Sequence, residues 1–204
     1  MTVHQGNVGN TDDCARVVKE VLDEHGQIDI LVNNAGITAD EADPQDERGG
    51  GVAEGPEREP LRRLPHVEKD VLEHMIERGS GRIVNLSSVV GQMGNIGQAN
   101  LRRGEVGALR PGQTLAREAA QALGKADKLR AGGVGLTVNT VAPGFIATDM
   151  TKDLPEKVVE KIKGQIPAGR LGHPDEWPVV HFLCSDSSGY ITGQVWGVNG
   201  GMDM

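Results

Sequence analysis

The sequence contains few aromatic residues: two tryptophans, two phenylalanines and one tyrosine in 204 residues. Its core must therefore be built mainly from aliphatic side chains. It also has only two cysteines, Cys14 and Cys184, which lie far apart and lack the spacing of metal ligands. Two isolated cysteines are typical of a reducing compartment and provide no disulfide framework. The composition predicts a cytoplasmic protein.

Basic charge and long apolar runs are lacking as well. The formal net charge is -8 and the isoelectric point is about 5.2, which excludes a surface that follows the phosphates of a nucleic acid. No apolar run approaches the ~20 residues that span a bilayer. The polar start of the chain, residues 1–13, has no secretory signal. We therefore expect neither a nucleic-acid partner nor a membrane partner.

The patterns that are present indicate one α/β domain over residues 1–204. Asn10 can cap a helix with a stripe of valine and leucine that stops at Gly26. Four short runs rich in β-branched residues then alternate with helical patterns and end in polar or glycine-bearing turns. These predicted strands are 28–32, 82–86, 135–141 and 194–198. The pattern predicts a doubly wound parallel sheet with ligands beyond the carboxyl ends of its strands.

Two segments do not fit this pattern. Residues 39–63 contain eight acidic residues, four basic residues and seven glycines or prolines, a composition typical of a linker or a disordered segment. We therefore treat 39–67 as an aberrant segment within the single domain. Residues 101–113 contain Pro111 and several glycines where a long helix is expected, and both residue types disfavour a helix interior.

Four motifs resemble the short-chain dehydrogenase/reductase family. They are Asn33-Asn34-Ala35-Gly36, Asn85-Leu86-Ser87-Ser88, Pro143-Gly144-Phe145-Ile146-Ala147-Thr148-Asp149-Met150 and Tyr190-Ile191-Thr192-Gly193. Within that family, the chain is most similar to the 3-oxoacyl-(acyl-carrier-protein) reductases and the acetoacetyl-CoA reductases. The resemblance covers residues 1–40, 68–100 and 114–204, and the order and spacing of the motifs make it specific.

The resemblance implies a Rossmann-type fold that binds NADP(H). The residues that match cofactor-binding positions of the family are Asn34, Ala35, Gly36, Pro143, Gly144, Ile146 and Thr148, together with Asn7, where the family usually has an aspartate. A glycine among them would let the backbone approach a ligand, because no Cβ stands in the way. Two structural alternatives stay open, namely that Asn34 only caps a strand end and that Thr148 only caps the following helix.

The resemblance also implies the reduction of a 3-oxoacyl thioester of coenzyme A or acyl carrier protein. Ser88 matches the serine that donates a hydrogen bond to the substrate carbonyl. Leu101 and Glu105 occupy the positions of the family's catalytic tyrosine and lysine. Leucine cannot donate a proton, and glutamate brings negative charge where a cation would lower the pKa of the phenol. We therefore expect impaired turnover. The alternative is a catalytically dead remnant that only binds nucleotide or another subunit.

Two further features bear on this interpretation. The family's glycine-rich phosphate turn, Thr-Gly-x-x-x-Gly-x-Gly, does not occur in the sequence, so the fold is expected to lack its first βαβ part. Both aberrant segments can be read as out-of-frame translations. Codons exist for 101–113 that, read one base later, encode a tyrosine and a lysine at the family spacing. A diverged paralogue with a genuine acidic loop is the other interpretation.

We predict no metal site, because the histidines considered lack the paired spacing of metal ligands: His66, His74, His173 and His181. The resemblance further implies a homo-oligomer, since members of the family are usually tetramers. One family interface uses the helices that contain the aberrant segments. The other uses the carboxyl-terminal strand and residues 195–204, which match the family.

Overall fold

The computed structural model describes residues 1–34, 60–93, 99–129, 135–149, 151–152 and 154–204, with the backbone alone at 60–66, 91, 93 and 99–111. The helices of this part are α1 (Thr11–His25), α2 (Pro60–Arg78), α3 (Val89–Met93), α4 (Ala99–Lys125), α5 (Glu156–Lys163) and α6 (Pro178–Cys184). The strands are β1 (Ile30–Asn33), β2 (Gly81–Leu86), β3 (Leu136–Pro143) and β4 (Val195–Val198). Two short 3-10 helices, Pro174–Glu176 and Asp186–Ser188, flank α6.

Helix α1 begins and ends where the sequence predicts. The side chain of Asn10 accepts hydrogen bonds from the backbone amides of Asp12 and Asp13. These are two of the amides in the first turn that have no hydrogen-bond partner within the helix. At the other end, Gly26 has a φ of 75° and its amide donates to the carbonyl of Leu22. A glycine adopts this left-handed conformation without the steric cost of a Cβ.

The four predicted strands are confirmed and form one parallel sheet in the order β1-β2-β3-β4. Ile83 of β2 lies between Leu31 of β1 and Val138 of β3, which fixes the register of the three strands. Strands β2 and β3 are buried along almost their whole length. Their near-continuous apolar pattern is typical of a parallel strand covered on both faces.

Two separate hydrophobic clusters cover the two faces of the sheet. On one face, Ile83 and Val138 pack with apolar side chains of α1, α2 and α4. On the other face, Val84 and Val141 pack against Leu183 of α6. Because successive residues of a strand point to opposite faces, the neighbours Ile83 and Val84 serve different clusters. The helices on both sides confirm the predicted doubly wound α/β architecture.

Helices α2 and α4 differ from the sequence-based expectation. Helix α2 begins at Pro60 and thus covers the last residues of the segment 39–67, while residues 39–59 lie outside the described part. Helix α4 runs without a break through 101–113, including Pro111. The proline and the glycines of this segment therefore do not interrupt the helical backbone. Helix α4 packs on β3, α2 and α3, and such packing outweighs weak intrinsic propensity.

No helix in the described part of the chain is both long enough and apolar enough to cross a bilayer.

Candidate functional site

The carboxyl ends of the parallel strands bring most of the predicted site residues to one edge of the sheet. The side chains of Asn33 in β1 and Asn85 in β2 are joined there by a hydrogen bond of 2.7 Å. The amide of Ser87, just after β2, donates to the carbonyl of Val141 in β3. The amide of Gly144, just after β3, donates to the carbonyl of Val198 in β4. This edge is where a doubly wound sheet places its ligands.

Ser88 is half-buried at the centre of this edge, between the end of β2 and the start of α3. Its Oγ accepts a hydrogen bond of 3.2 Å from the amide of Val90. A serine hydroxyl has one donor hydrogen and two acceptor lone pairs, so this bond does not use the hydrogen. Ser88 can therefore hold the start of α3 and still donate a hydrogen bond to a ligand.

Leu101 and Glu105 lie on helix α4, which packs against both α3 and β3. They are four residues apart, and residues at that spacing share one face of a helix. The backbone of α4 thus supplies the arrangement that a tyrosine and a lysine would need at these positions. The sequence places a leucine and a glutamate there instead.

Pro143 ends β3 and pairs with Val198 of β4 in the register of the sheet. The next residue, Gly144, lies close to Asn199. A Cβ on Gly144 would lie 2.8 Å from the Cα and 3.0 Å from the Cβ of Asn199. Packing against Asn199 is therefore a reason for glycine at this position in addition to the predicted approach of a ligand.

Ile146 and Thr148 follow in the loop after β3. Ile146 forms an isolated parallel bridge with Gly172 and lines a surface cleft of about 330 Å³. Thr148 is exposed; its amide donates to Oγ1 of Thr151, and its carbonyl accepts from the amides of Thr151 and Lys152. Since α5 begins at Glu156 after the N-cap Pro155, Thr148 is not the cap of that helix.

The amino-terminal site residues occupy a different place. Oδ1 of Asn7 accepts a hydrogen bond from the amide of Gly9 in the turn that leads into α1, so this oxygen has a local structural partner. Asn34 is exposed and lines a second cleft, of about 230 Å³, between β1 and residues 4–17. The larger cleft lies beside β4 and the second cleft beside β1, which are the last and the first strands in the order of the sheet. Ala35 and Gly36 lie outside the described residues.

A buried acid that the sequence analysis missed lies beside this edge. Glu68 of α2 is buried, and its Oε1 accepts a hydrogen bond of 2.8 Å from Nδ2 of Asn33. Burial raises the pKa of Glu68, while hydrogen bonds with Asn85 and Asn33 act in the opposite direction. The signal in the sequence is positional: Glu68 falls three and seven residues before the buried Val71 and Met75, on the apolar face of its helix.

An ion pair that the sequence analysis also missed borders the larger cleft. The guanidinium of Arg170 contacts the carboxylate of Glu176 through two hydrogen bonds, of 2.7 and 2.6 Å. These bonds, with a further one from the amide of His173, lower the pKa of Glu176 to about 2. The bidentate geometry fixes these two side chains in the lining of the cleft.

The side chains that follow β2 and β3 have the chemistry that the nicotinamide end of a dinucleotide requires. Ser88 and Thr148 offer neutral hydroxyl groups, which can bond to a carboxamide and to ribose hydroxyls. The cleft beside Ile146 has a volume within the ~300–1,000 Å³ of small-molecule sites and a mixed apolar and polar lining. The hydrogen-bonding groups and the volume of the cleft are thus both suited to the nicotinamide end of a dinucleotide.

Comparison with known proteins adds an independent finding. A family model described as enoyl-(acyl carrier protein) reductase matches residues 1–203. The 3-oxoacyl-(acyl-carrier-protein) reductase of Vibrio cholerae is 43% identical over 201 residues, which cover 97% of this chain and 76% of that protein. The protein of the same name from Thermotoga maritima is 41% identical over 96% of this chain and 74% of its own length. The Escherichia coli protein is 41% identical over 97% and 76%.

Proposed function

Since the chain belongs to the short-chain dehydrogenase/reductase family of oxidoreductases, which act on CH–OH groups, we propose that its reaction is the reduction of a 3-oxoacyl thioester to the 3-hydroxyacyl thioester with NADPH. The family description and the names of the relatives both specify acyl groups on acyl carrier protein. We include acetoacetyl-CoA as a substrate because the motifs also resemble reductases of that compound. The cofactor assignment to NADP(H) follows the same resemblance.

The position of Ser88 is the observation that carries the proposal. Its hydroxyl lies at the central carboxyl edge of the sheet, and its oxygen is already held by the amide of Val90. This bond fixes the oxygen, so the hydroxyl hydrogen can be directed at a carbonyl without a large loss of side-chain entropy. Ser88 would thus orient the keto group that is reduced.

The residues after β3 would hold the nicotinamide. When bound, that ring supplies the hydride. Ile146 offers an apolar wall in the larger cleft, and the exposed hydroxyl of Thr148 can bond to a carboxamide. Pro143 and Gly144 fix the start of this loop through the pairing with β4 and the packing on Asn199. At the other end of the sheet, Asn34 would contact the adenosine half, with Asn7, Ala35 and Gly36 as further positions in the family.

The proton donor is the missing element. Reduction of a ketone leaves negative charge on the oxygen, which must take up a proton. Leu101 stands at the family position for the donor, and Glu105 stands where a cation would lower the pKa of a phenol. We therefore propose that the chain as written binds the cofactor but turns over slowly or not at all. A cytoplasmic location remains a prediction from the composition, and a homo-oligomer remains a prediction from the resemblance.

Binding and turnover need separate measurements. We expect NADPH to bind the full chain with a change in nucleotide fluorescence, and the substitution Thr148→Val to weaken binding by roughly three- to tenfold through the loss of one hydrogen bond. The variant Thr114→Val is the matched control, because Thr114 is an exposed threonine on helix α4. Absence of NADPH binding, or equal affinity of both variants, would contradict the cofactor site.

Turnover is measured as oxidation of NADPH in the presence of acetoacetyl-CoA. We expect none from the unaltered chain. We also expect no rescue by Leu101→Tyr with Glu105→Lys. The glycine-rich phosphate turn of the family does not occur in the sequence, so bound NADPH would not be held in the one position that hydride transfer requires. Rapid turnover by the unaltered chain would show that no donor is needed at position 101. If the double variant is active, Ser88→Ala is expected to abolish that activity and Ser87→Ala to preserve it.

A further inference from the structure

A cluster of imidazole and carboxylate groups joins the start of the chain to helix α1. His4 is held against the helix, with only 17% of its side chain exposed. Its Nδ1 lies 3.1 Å from Oε2 of Glu20 in a hydrogen bond. Its Nε2, on the opposite side of the ring, lies 3.3 Å from Oε2 of Glu24. The ring is thus enclosed between two carboxylates that are one helical turn apart.

A second histidine lies next to this arrangement. His25, the last residue of α1, has its Nε2 3.9 Å from Oε1 of Glu24 and within a 3.0 Å hydrogen bond of Thr2 Oγ1. The ligand atoms of His4, Glu24 and His25 all lie within 4.8 Å of one another. Nε2 of His4 is buried, yet no hydrogen bond within the described part of the chain satisfies it. A buried ring nitrogen without a hydrogen bond requires an explanation.

We propose that His4, Glu24 and His25 bind a divalent transition-metal ion such as Zn²⁺, and that Glu20 orients His4 for this purpose. Two imidazoles and one carboxylate form a donor set that Zn²⁺ accepts, with a water molecule in the fourth position. The site lies between α1 and the first residues of the chain, and its His4 also lines the cleft that contains Asn34. The metal site does not depend on the proposed reductase reaction. It would fasten residues 1–9, which have no helix or strand, to the first helix.

The geometry of Glu20 supports this role. A histidine that binds a metal through one ring nitrogen usually donates the other N–H to a carboxylate, which fixes the tautomer and the ring orientation. Here the Nδ1 of His4 contacts Glu20, and Nε2 is left to face Glu24 and His25. Glu20 is itself fixed, because its Oε1 accepts a 2.7 Å hydrogen bond from Arg16.

The distances require only side-chain movement for a metal to be bound. Tetrahedral zinc with bonds of about 2.0–2.1 Å places neighbouring ligand atoms about 3.3–3.4 Å apart. His4 Nε2 and Glu24 already meet this separation. The side chains of Glu24 and His25 are 41% and 48% exposed, so both can rotate toward the ring of His4 without disturbing a packed core.

The competing explanation is a metal-free arrangement in which His4 contacts only Glu20 and Glu24. Both explanations need His4 and Glu24. They differ over His25, which a metal requires and which the metal-free arrangement does not. This difference makes His25 the decisive position for a test.

The test is calorimetric titration of the chelator-treated full chain with ZnCl₂. We expect one site per chain in the unaltered protein, a tenfold or greater loss of affinity in His25→Asn, and a similar loss in His4→Ala. Glu20→Gln should keep the stoichiometry and weaken binding by roughly ten- to a hundredfold, as expected for a positioning residue. His181→Asn is the matched control, since His181 is an exposed histidine on α6.

A second readout is the melting temperature. Zinc at a hundred times its Kd should raise the Tm of the unaltered chain by roughly 5 °C, and should not raise that of His25→Asn. If His4→Ala does not fold, His25→Asn still decides, because it leaves the contacts of His4 with Glu20 and Glu24 in place. Equal zinc affinity in the unaltered chain, His25→Asn and His181→Asn would mean adventitious binding only, and no binding at all would mean the metal-free arrangement. Either result overturns the proposal.

Discussion

The amide Nδ2 of Asn33 donates a 2.8 Å hydrogen bond to Oε1 of Glu68, which joins the last residue of β1 to the inner face of α2. The same nitrogen also donates to Oδ1 of Asn85, at the end of β2. One buried polar cluster thus connects two strands and a helix directly beneath the predicted site. A buried carboxyl in such a cluster makes the stability of the fold sensitive to its protonation.

The first prediction concerns the pH dependence of stability. Burial raises the folded-state pKa of Glu68, so the folded chain holds this proton more tightly than the unfolded chain. Its contribution to the free energy of unfolding is therefore fully present below the unfolded pKa of about 4.3 and is lost as the pH rises through the raised pKa. We expect Glu68→Gln to become more stable relative to the unaltered chain between pH 5 and pH 8.

Urea denaturation across that pH range measures this difference. Taking the difference between two chains cancels the contribution of other groups, such as Glu176, whose pKa is lowered and whose effect appears at acid pH. Glu73→Gln is the matched control, because Glu73 lies on the same helix with 65% of its side chain exposed. A pH-independent difference for Glu68→Gln would rule out the titration of Glu68 as the cause.

The second prediction concerns glycines in helix α4. Alanine stabilises most helix interiors by about 1 kcal/mol relative to glycine. At Gly112, however, a Cβ would lie 2.6 Å from Oγ1 of the buried Thr140. We expect Gly112→Ala to destabilise the chain by about 1–2 kcal/mol in spite of its helix propensity, because overpacking outweighs that gain.

Two further variants test the cause of this effect. At Gly124 of the same helix, the nearest atom to an added Cβ is Cδ1 of Leu129, 3.3 Å away at the end of a flexible side chain. Gly124→Ala should therefore be neutral or stabilising. In a Thr140→Ala background, which removes Oγ1, Gly112→Ala should cost much less than in the unaltered chain. Chemical denaturation gives the free energy of unfolding of Gly112→Ala, Gly124→Ala, Thr140→Ala and the double variant at 112 and 140. If the effects of Gly112→Ala and Thr140→Ala simply add, the proposed contact between position 112 and Thr140 is refuted.

The third prediction separates two reasons for the glycine at 144. If packing on Asn199 is the reason, Gly144→Ala should destabilise the ligand-free chain by roughly 1–3 kcal/mol, since the added Cβ would meet backbone atoms of Asn199. If only a ligand needs the space, the stability of the free chain should not change. Gly164→Ala is the control, because its Cβ would meet nothing closer than 3.5 Å. The comparison of melting temperatures without cofactor decides between the two.

Much of the fold could be predicted from the sequence because its signals are local. The cap at Asn10 and the left-handed Gly26 bound α1 as the sequence indicates. The four apolar runs are the four strands, since burial on both faces imposes a continuous apolar pattern. Helix α4 is the exception, because its path through Pro111 depends on neighbours that are remote in the sequence.

The candidate site could be predicted only in part. The strand ends do gather Asn33, Ser88 and Gly144 at one edge, as the parallel topology requires. The contact of Gly144 with Asn199 could not be foreseen, because it joins residues 55 positions apart. The pairing of Glu68 with Asn33 and that of His4 with His25 are likewise set by how α2 and the first residues pack.

The sequence by itself determined the helix ends, the strand positions and the missing proton donor at Leu101, because capping, periodicity and residue identity act within a few neighbouring residues. The tertiary structure alone decided that Glu68 is buried beside Asn33 and that His4 is enclosed by α1. Burial and the distances between charged groups depend on which distant segments pack together, and these two quantities set the pKa of a carboxyl group and the chemistry of a metal site.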